Sequence, residues 1–470
     1  MDLGLAIVGA GAFDLHGVLW DGEAGRGEGE GSNRTTAVER CGVGEGDAGL
    51  VERVPDKRGI VGFVGDMRDR TTWNKVLRGC FVVVIAAVAA AVSSQLLLPS
   101  VVVPASWPFS STAAHNHNND DRPPKCVVFN FGDSNSDTGN LVAGAGFRLH
   151  GPVGRRFFGK PSGRFSDGRL YIDFLCERLG LGHLSPYLES SGVSFRHGAN
   201  FAVAGATTGG GTTAPFNLAT QVRQFRHFKA RTAELDHDAR GRGLLGSGSG
   251  ITTQEFEDAV YTFDIGQNDL QAAFAAGLSY DRILEESIPL IVERINNAVT
   301  MVHEAGGRTF VVHNTGPLGC LPSSLARRRR GSSSELDGAG CLVELNGVAR
   351  AFNAQLGRLC RDLRAKLANA TVVCVDMYSI KYGLVANHTA HGFSEPLMAC
   401  CGSGGPPYNY RAGKACGSPR VKACADGHRR ISWDGLHYTE AANRVVADQI
   451  LSAEYTDPPL RLQTLCTSPS

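Results

Sequence analysis

The sequence predicts an α/β fold in which a mainly parallel sheet is covered by helices on both faces. Three observations lead there. Short apolar runs recur, and each is closed by a polar or Gly-rich break. Longer amphipathic stretches lie between the runs. Polar residues able to do chemistry gather where the runs stop, which in such sheets is the ligand-binding edge.

The strand candidates are "CVVFNF" (126–131), "AVYTFDI" (259–265), "TFVVHN" (309–314) and "TVVCVDM" (371–377). "YIDFLCERLG" repeats apolar residues at helical spacing and stops at Gly180. "SIPLIVERINNAVTMVHEAGG" is amphipathic and ends in Gly306-Gly307, a C-cap signal. "ELNGVARAFNAQLGRLCRDLRAKL" places its cations late, as a helix C-terminus favours. This order puts Ser134, Gly266–Asp269 and Asn314–Gly316 along one rim of the sheet.

The folded part is expected over residues 124–465, and what precedes it reads differently. Residues 1–66 are rich in Gly and Glu with no sustained period, so little packed structure is expected. Arg68, Arg70, Lys75 and Arg78 then precede an apolar run from Phe81 to Val92 that ends in small residues. That is the layout of a secretory signal over 67–105, with Met67 as the expected true start. An N-terminal peptide from upstream of Met67 would overturn that start. If the run to Val103 is retained, the segment reads as a signal anchor instead. Residues 106–123 read as a linker whose His115, His117, Asp120 and Asp121 lack the fixed geometry a metal needs.

The 470 residues carry a formal charge of +1, which gives no reason to expect nucleic acid as a partner. The Arg block "ARRRRG" (326–331) reads as a solvated loop, with acidic polysaccharide as the minor alternative. Thirteen cysteines fit an oxidising compartment. Setting aside Cys41 and Cys80 leaves eleven, an odd number, so at least one free thiol is expected; Cys126 is a candidate. Cys320 and Cys341, and the cluster Cys400, Cys401, Cys416 and Cys424, read as loop staples, because paired zinc spacing is missing. Asn369 and Asn387 head N-x-T sequons and are expected to carry glycans if the chain is secreted.

Ser134 follows the first apolar run and is expected to open a helix, where free backbone N–H groups can hold an oxyanion. It needs a base. Asp434 and His437, three apart before a last helical stretch, suit a carboxylate that orients an imidazole. Gly205 in "GANFAVAGATTGGG" and Asn268 in "DIGQNDL" can supply further donors. Asp133 is read as a turn anchor, Ser136 and Asp137 as helix caps, "SGRFSDGR" (162–169) as a loop buttress, and Asp269 as support for Asn268.

In order along the chain, "FNFGDSNSDTGN", "GRFSDGRLYIDF", "GANFAVAGAT", "FDIGQND", "HNTGPLGCLP", "ACCGSGGPPYNY" and "ISWDGLHYTEAAN" resemble the plant GDSL esterase/lipases of the SGNH hydrolase superfamily. The long segment 150–190 looks most like the branch with early-nodulin-like and fucosidase-named members. The resemblance implies a three-layer α/β/α sandwich of flavodoxin-like type with a five-stranded sheet. By motif position it implies Ser134 as nucleophile, Gly205 and Asn268 as oxyanion donors beside the Ser134 N–H, His437 as base and Asp434 as its orienter. It implies no metal and no organic cofactor. A G-x-S-x-G elbow is absent from this part, which disfavours the α/β-hydrolase fold.

The expected reaction is ester hydrolysis through an acyl-serine. The expected substrate is a short acyl, acetyl above all, on a cell-wall polysaccharide or glycoside; longer acyl lipids are the alternative. Glycoside hydrolysis and a catalytically silent binding or defence protein are the readings from other classes. The expected state is a monomer in the secretory pathway, ending in the cell wall, or in the Golgi membrane if the anchor is kept.

Overall fold

In the computed structural model, residues 126–210, 216–241, 250–327 and 335–466 are described. The expectations for residues 1–123 and for Arg328–Arg330 lie outside them. The strands are β1 (Val128–Gly132), β2 (Gly198–Asn200), β3 (Val260–Asp264), β4 (Thr309–His313), β5 (Thr371–Val375), β6 (Cys401–Gly402), β7 (Lys422–Ala423) and β8 (Thr456–Asp457). The main sheet runs β2-β1-β3-β4-β5-β8, and all pairings are parallel except that of the edge strand β8. The order 2-1-3-4-5 is the flavodoxin-like one, with its switch point between β1 and β3. The sheet therefore has six strands where five were expected. β8 is two residues long and β2 is Gly-Ala-Asn, so neither has an apolar run to announce it.

Alternation along each strand builds the three layers. Phe129, Phe131, Tyr261, Phe263, Phe310 and Val312 pack on one face under helices α3 (Leu218–Gly241), α5 (Ile288–Glu304) and α6 (Val343–Lys366). Val128, Val260, Val311 and Val375 pack on the other, under α2 (Tyr171–Arg178), α7 (Met377–Ala386) and α8 (Glu440–Leu451). Burial on both faces is why the strands read as continuous apolar runs. The 24-residue α3 has a weak apolar stripe, mainly Leu218, Val222 and Phe225, and local periodicity does not announce it. Two short helices complete the site layer, α1 (Asn140–Ala145) and α4 (Gln267–Ala275).

Cystines pair Cys126–Cys466, Cys320–Cys341, Cys400–Cys424 and Cys401–Cys416. Cys126 is thus not the free thiol. Its burial was legible, but its partner lies 340 residues away, beyond any local reading. Among the described residues, the free thiols are Cys176, Cys360 and Cys374.

Candidate active site

The strand ends set the rim. Gly132, Asp264, His313 and Val375 stand side by side in register, so the residues that follow β1, β3, β4 and β5 share one edge. Gly132 is required there, since a Cβ would lie 2.5 Å from the Asp264 carbonyl oxygen. Its N–H donates to Gln221 Oε1 at 2.9 Å and its C=O accepts from Gln221 Nε2 at 2.8 Å, which fastens β1 to α3.

Ser134 occupies a turn, not the start of a helix; α1 begins six residues later at Asn140. The turn is held by polar side chains. Asp133 Oδ1 accepts from the Asn135 N–H and from Asn135 Nδ2, each at 2.9 Å, as expected of a turn anchor. Asp137 accepts from the N–H groups of Gly139, Asn140, Leu141 and Ala204 and so caps α1. Ser136 does not cap. Its Oγ accepts from Asn130 Nδ2 at 3.0 Å, because Asn130 is buried on β1 directly beneath it. Among the described residues, neither Ser134 Oγ nor the Ser134 N–H has a hydrogen-bond partner, and Ser134 is 7% exposed.

The loop after β2 brings in Gly205, with φ +79°, exposed between buried Ala204 and Ala206. Its N–H also lacks an acceptor among the described residues. Asn268, on the first turn of α4, donates to the Ala206 carbonyl at 2.9 Å and approaches Asp133 Oδ2 at 3.4 Å. The second amide N–H is therefore only loosely held. Asp269 secures this join as expected, accepting from the Thr208 N–H at 3.0 Å and from Thr208 Oγ1 at 2.6 Å. Burial pushes its carboxyl up to about 6 against those bonds.

The last segment carries Asp434 and His437. Asp434 Oδ1 accepts from the N–H groups of Leu436 and His437 at 2.9 Å, and Oδ2 lies 2.7 Å from His437 Nδ1. Burial alone would raise the Asp434 carboxyl, but the His437 charge and these bonds hold it below the usual carboxylate range. Burial likewise opposes a charged imidazole, yet Asp434, helped by Asp133, raises His437 above its usual range. His437 Nε2 has no hydrogen-bond partner among the described residues.

The stretch 162–169 is the buttress expected. Arg164 grips Asp173 through two bonds of 2.7 Å, Asp167 accepts from the Glu440 N–H at 2.8 Å, and Arg169 pairs with Glu440 at 2.6 Å. It thus fixes the start of α8, three residues past His437. Phe165 also lies 5.3 Å from the His437 ring. Asn314 is committed to α7, donating to Asp376 and accepting from the Tyr378 N–H.

Sequence reasoning missed a buried polar cluster beneath the rim. The Tyr171 hydroxyl donates to Asp264 Oδ2 at 2.8 Å and sits 3.1 Å from His313 Nδ1. Lys381 is buried beside it, 3% exposed, where the charges of Asp264 and Asp133 partly offset the desolvation that lowers its pKa. Burial, then the Asp264 charge, push Asp133 up to about 7, and burial pushes His313 down to about 4. A usable signal existed: Asp264 and His313 end apolar strands, and Lys381 is the lone charge in "MYSIKYGLVA".

Asn369 and Asn387 are both exposed. No group of three or more His, Cys, Asp or Glu among the described residues could hold a metal. No helix among them is long and apolar enough to cross a membrane.

The family model for GDSL-like lipase/acylhydrolase matches residues 128–450. GDSL esterase/lipase LIP-4 of Arabidopsis thaliana is 48% identical over 342 residues, which covers 72% of this chain and 89% of that protein. GDSL esterase/lipase ACHE of Zea mays is 41% identical over 360 residues, 73% of this chain and 89% of that one. Alpha-L-fucosidase 3 of A. thaliana is 41% identical over 340 residues, 69% and 89%. The chain belongs to the GDSL esterase/lipase family and is a carboxylic ester hydrolase.

Proposed function

We propose that the enzyme removes short acyl groups, acetyl above all, from a cell-wall polysaccharide or glycoside through an acyl-Ser134 intermediate. His437 Nε2 takes the Ser134 Oγ proton as Oγ attacks the ester carbonyl. The N–H groups of Ser134 and Gly205 and the Asn268 amide receive the oxyanion. The proton then passes to the leaving alcohol, and water, activated by the same imidazole, releases the acid. Asp434 holds the imidazole by its Nδ1 proton throughout.

One observation carries this reading: the uncommitted groups. Among the described residues, Ser134 Oγ, the Ser134 and Gly205 N–H groups and His437 Nε2 are free, whereas the other unpaired polar atoms of the rim, His313 Nε2 and Thr315 Oγ1, are sealed from solvent. For the sugar, half-buried Phe165 beside His437 offers a flat ring, and Tyr410, which packs on Gly435, is hydrogen-bonded by Arg327 at 3.2 Å. Both suit a polyol leaving group. Four cystines favour the secretory route and a cell-wall destination. Glycoside hydrolysis needs two carboxylates at the sugar. Asp133 and Asp137 are fully buried, and Asp137 is committed to four N–H groups.

The test is acetate release from acetylated xylan, pectin and mannan against release from long-chain p-nitrophenyl esters, with Ser134→Ala alongside. Acetate release should dominate, and Ser134→Ala should cost at least about 10⁴-fold in kcat. A preference for long chains overturns the substrate, full activity in Ser134→Ala overturns the nucleophile, and hydrolysis of a p-nitrophenyl fucoside overturns the reaction class.

A further inference from the structure

Away from the rim, the insert that carries β6 and β7 encloses an open hollow of about 420 Å³. Arg420, Lys422 and Arg430 line it, and no acidic residue does. Arg430 is paired through Nη2 with Glu395. The side chains of Arg420 and Lys422 have no ion pair or hydrogen bond among the described residues. Arg420 also holds φ +67°, which a non-glycine residue adopts at a cost. Arg420 and Lys422 are thus two cations without a counter-charge on one concavity, and they repel one another until an anion enters.

From this hollow we infer a binding subsite for the carboxylate of a hexuronate unit in an acidic polysaccharide. The exposed Arg420 guanidinium fork matches a planar carboxylate in two parallel bonds. Met398 and Ala399 give the sugar an apolar wall. The hollow is far roomier than a phosphate needs. It is also joined to the candidate catalytic segment. Cys400 N–H donates to the Ser432 carbonyl at 2.9 Å, Cys401 N–H donates to that of Trp433 at 2.5 Å, and Arg430 precedes Asp434 by four residues. A polymer held here would present its esters to the Asp434–His437 segment. The inference rests on the polysaccharide reading above and narrows it to acidic chains.

The experiment measures binding without turnover, using full-chain Ser134→Ala protein and titration calorimetry with short oligogalacturonates. Arg420→Glu/Lys422→Glu, both exposed, should weaken binding by about tenfold or more. The control Arg223→Glu/Arg226→Glu on the exposed side of α3 makes the same charge change and should leave binding as it was. With Ser134 intact, the site variant should hydrolyse p-nitrophenyl acetate at the wild-type rate. No binding, or an equal loss in the control, overturns the subsite. Equal competition by inorganic phosphate overturns the hexuronate assignment. If oligogalacturonate binds in a site-dependent way while acetylated polysaccharides release no acetate, the subsite stands and the acetyl-esterase reading fails.

Discussion

The two halves of the candidate site are held by different means. Ser134, Gly205 and Asn268 stand on the ends of a parallel sheet, placed by strand register and by side-chain amides and carboxylates. The Ser134 turn has no cystine of its own. Asp434 and His437 stand on a turn between Ser432 and Tyr438, outside the main sheet. That turn leans on an irregular insert whose small core is Val153, Cys400, Cys401 and Trp433, locked by two cystines. Where a ladder satisfies the backbone, polar side chains suffice to aim a group. Where the ladders are only a residue or two long, covalent links limit the chain's freedom instead.

The largest effect should come from breaking the Asp434–His437 pair. His437→Ala should lower kcat by at least about 10⁴-fold, and Asp434→Asn by about 10⁴-fold, with melting temperatures near wild type. Kinetics with p-nitrophenyl acetate read both. A loss of tenfold or less in His437→Ala would remove that half from the mechanism. On the sheet half, Asn268→Ala should cost about 10²- to 10³-fold in kcat with little change in KM, as expected of a donor that acts in the transition state. If KM rises and kcat holds, Asn268 binds substrate and does not stabilise charge.

Removing a cystine tests the contrast itself. Cys401→Ser/Cys416→Ser opens a link of sequence separation 15 and should cost about 3 kcal/mol of stability. Hydrogen exchange should show the loss in 398–424 and 430–438, while β1 and β3 keep their protection. Equal loss of protection in the strands would mean that the two halves unfold together and that the distinction is only geometric.

Legibility followed the same division. The parallel sheet was readable because strands buried on both faces become apolar runs, and the candidates Ser134 and Asn268 stood out because they follow those runs, while Asp434 and His437 stood out by their spacing of three. Gly-Ala-Asn at β2 and Thr-Asp at β8 are too short to carry a pattern. The helix start expected at Ser134 fell to local chemistry: Asp133 and Asp137 hold a turn that delays α1 to Asn140. Partners far apart in the chain escaped entirely, among them Cys126 with Cys466 and Tyr171 with Asp264 and His313. Asp264 and His313 stood out singly as polar ends of apolar strands, but only the folded chain shows which partner each meets.

The smallest effect should come from Asp133, the charge that touches both halves. Its carboxyl, pushed up to about 7 by burial and by Asp264, also helps to raise His437. The imidazole must be neutral to act as base, so activity falls as pH drops through its raised pKa, and the acid limb lies above the ordinary histidine value of about 6.5. Asp133→Asn deletes a charge that favours the imidazolium. It should therefore move the acid limb of kcat to lower pH, by about one unit or less. The stability sign is opposite to that of an ion-paired carboxylate. The folded state holds the Asp133 proton more tightly than the unfolded one, so this group destabilises the fold as pH rises from about 4 to about 7. The variant should lose that slope in urea melts across the same range. An unmoved acid limb with a flattened stability slope would mean that Asp133 serves the sheet half alone.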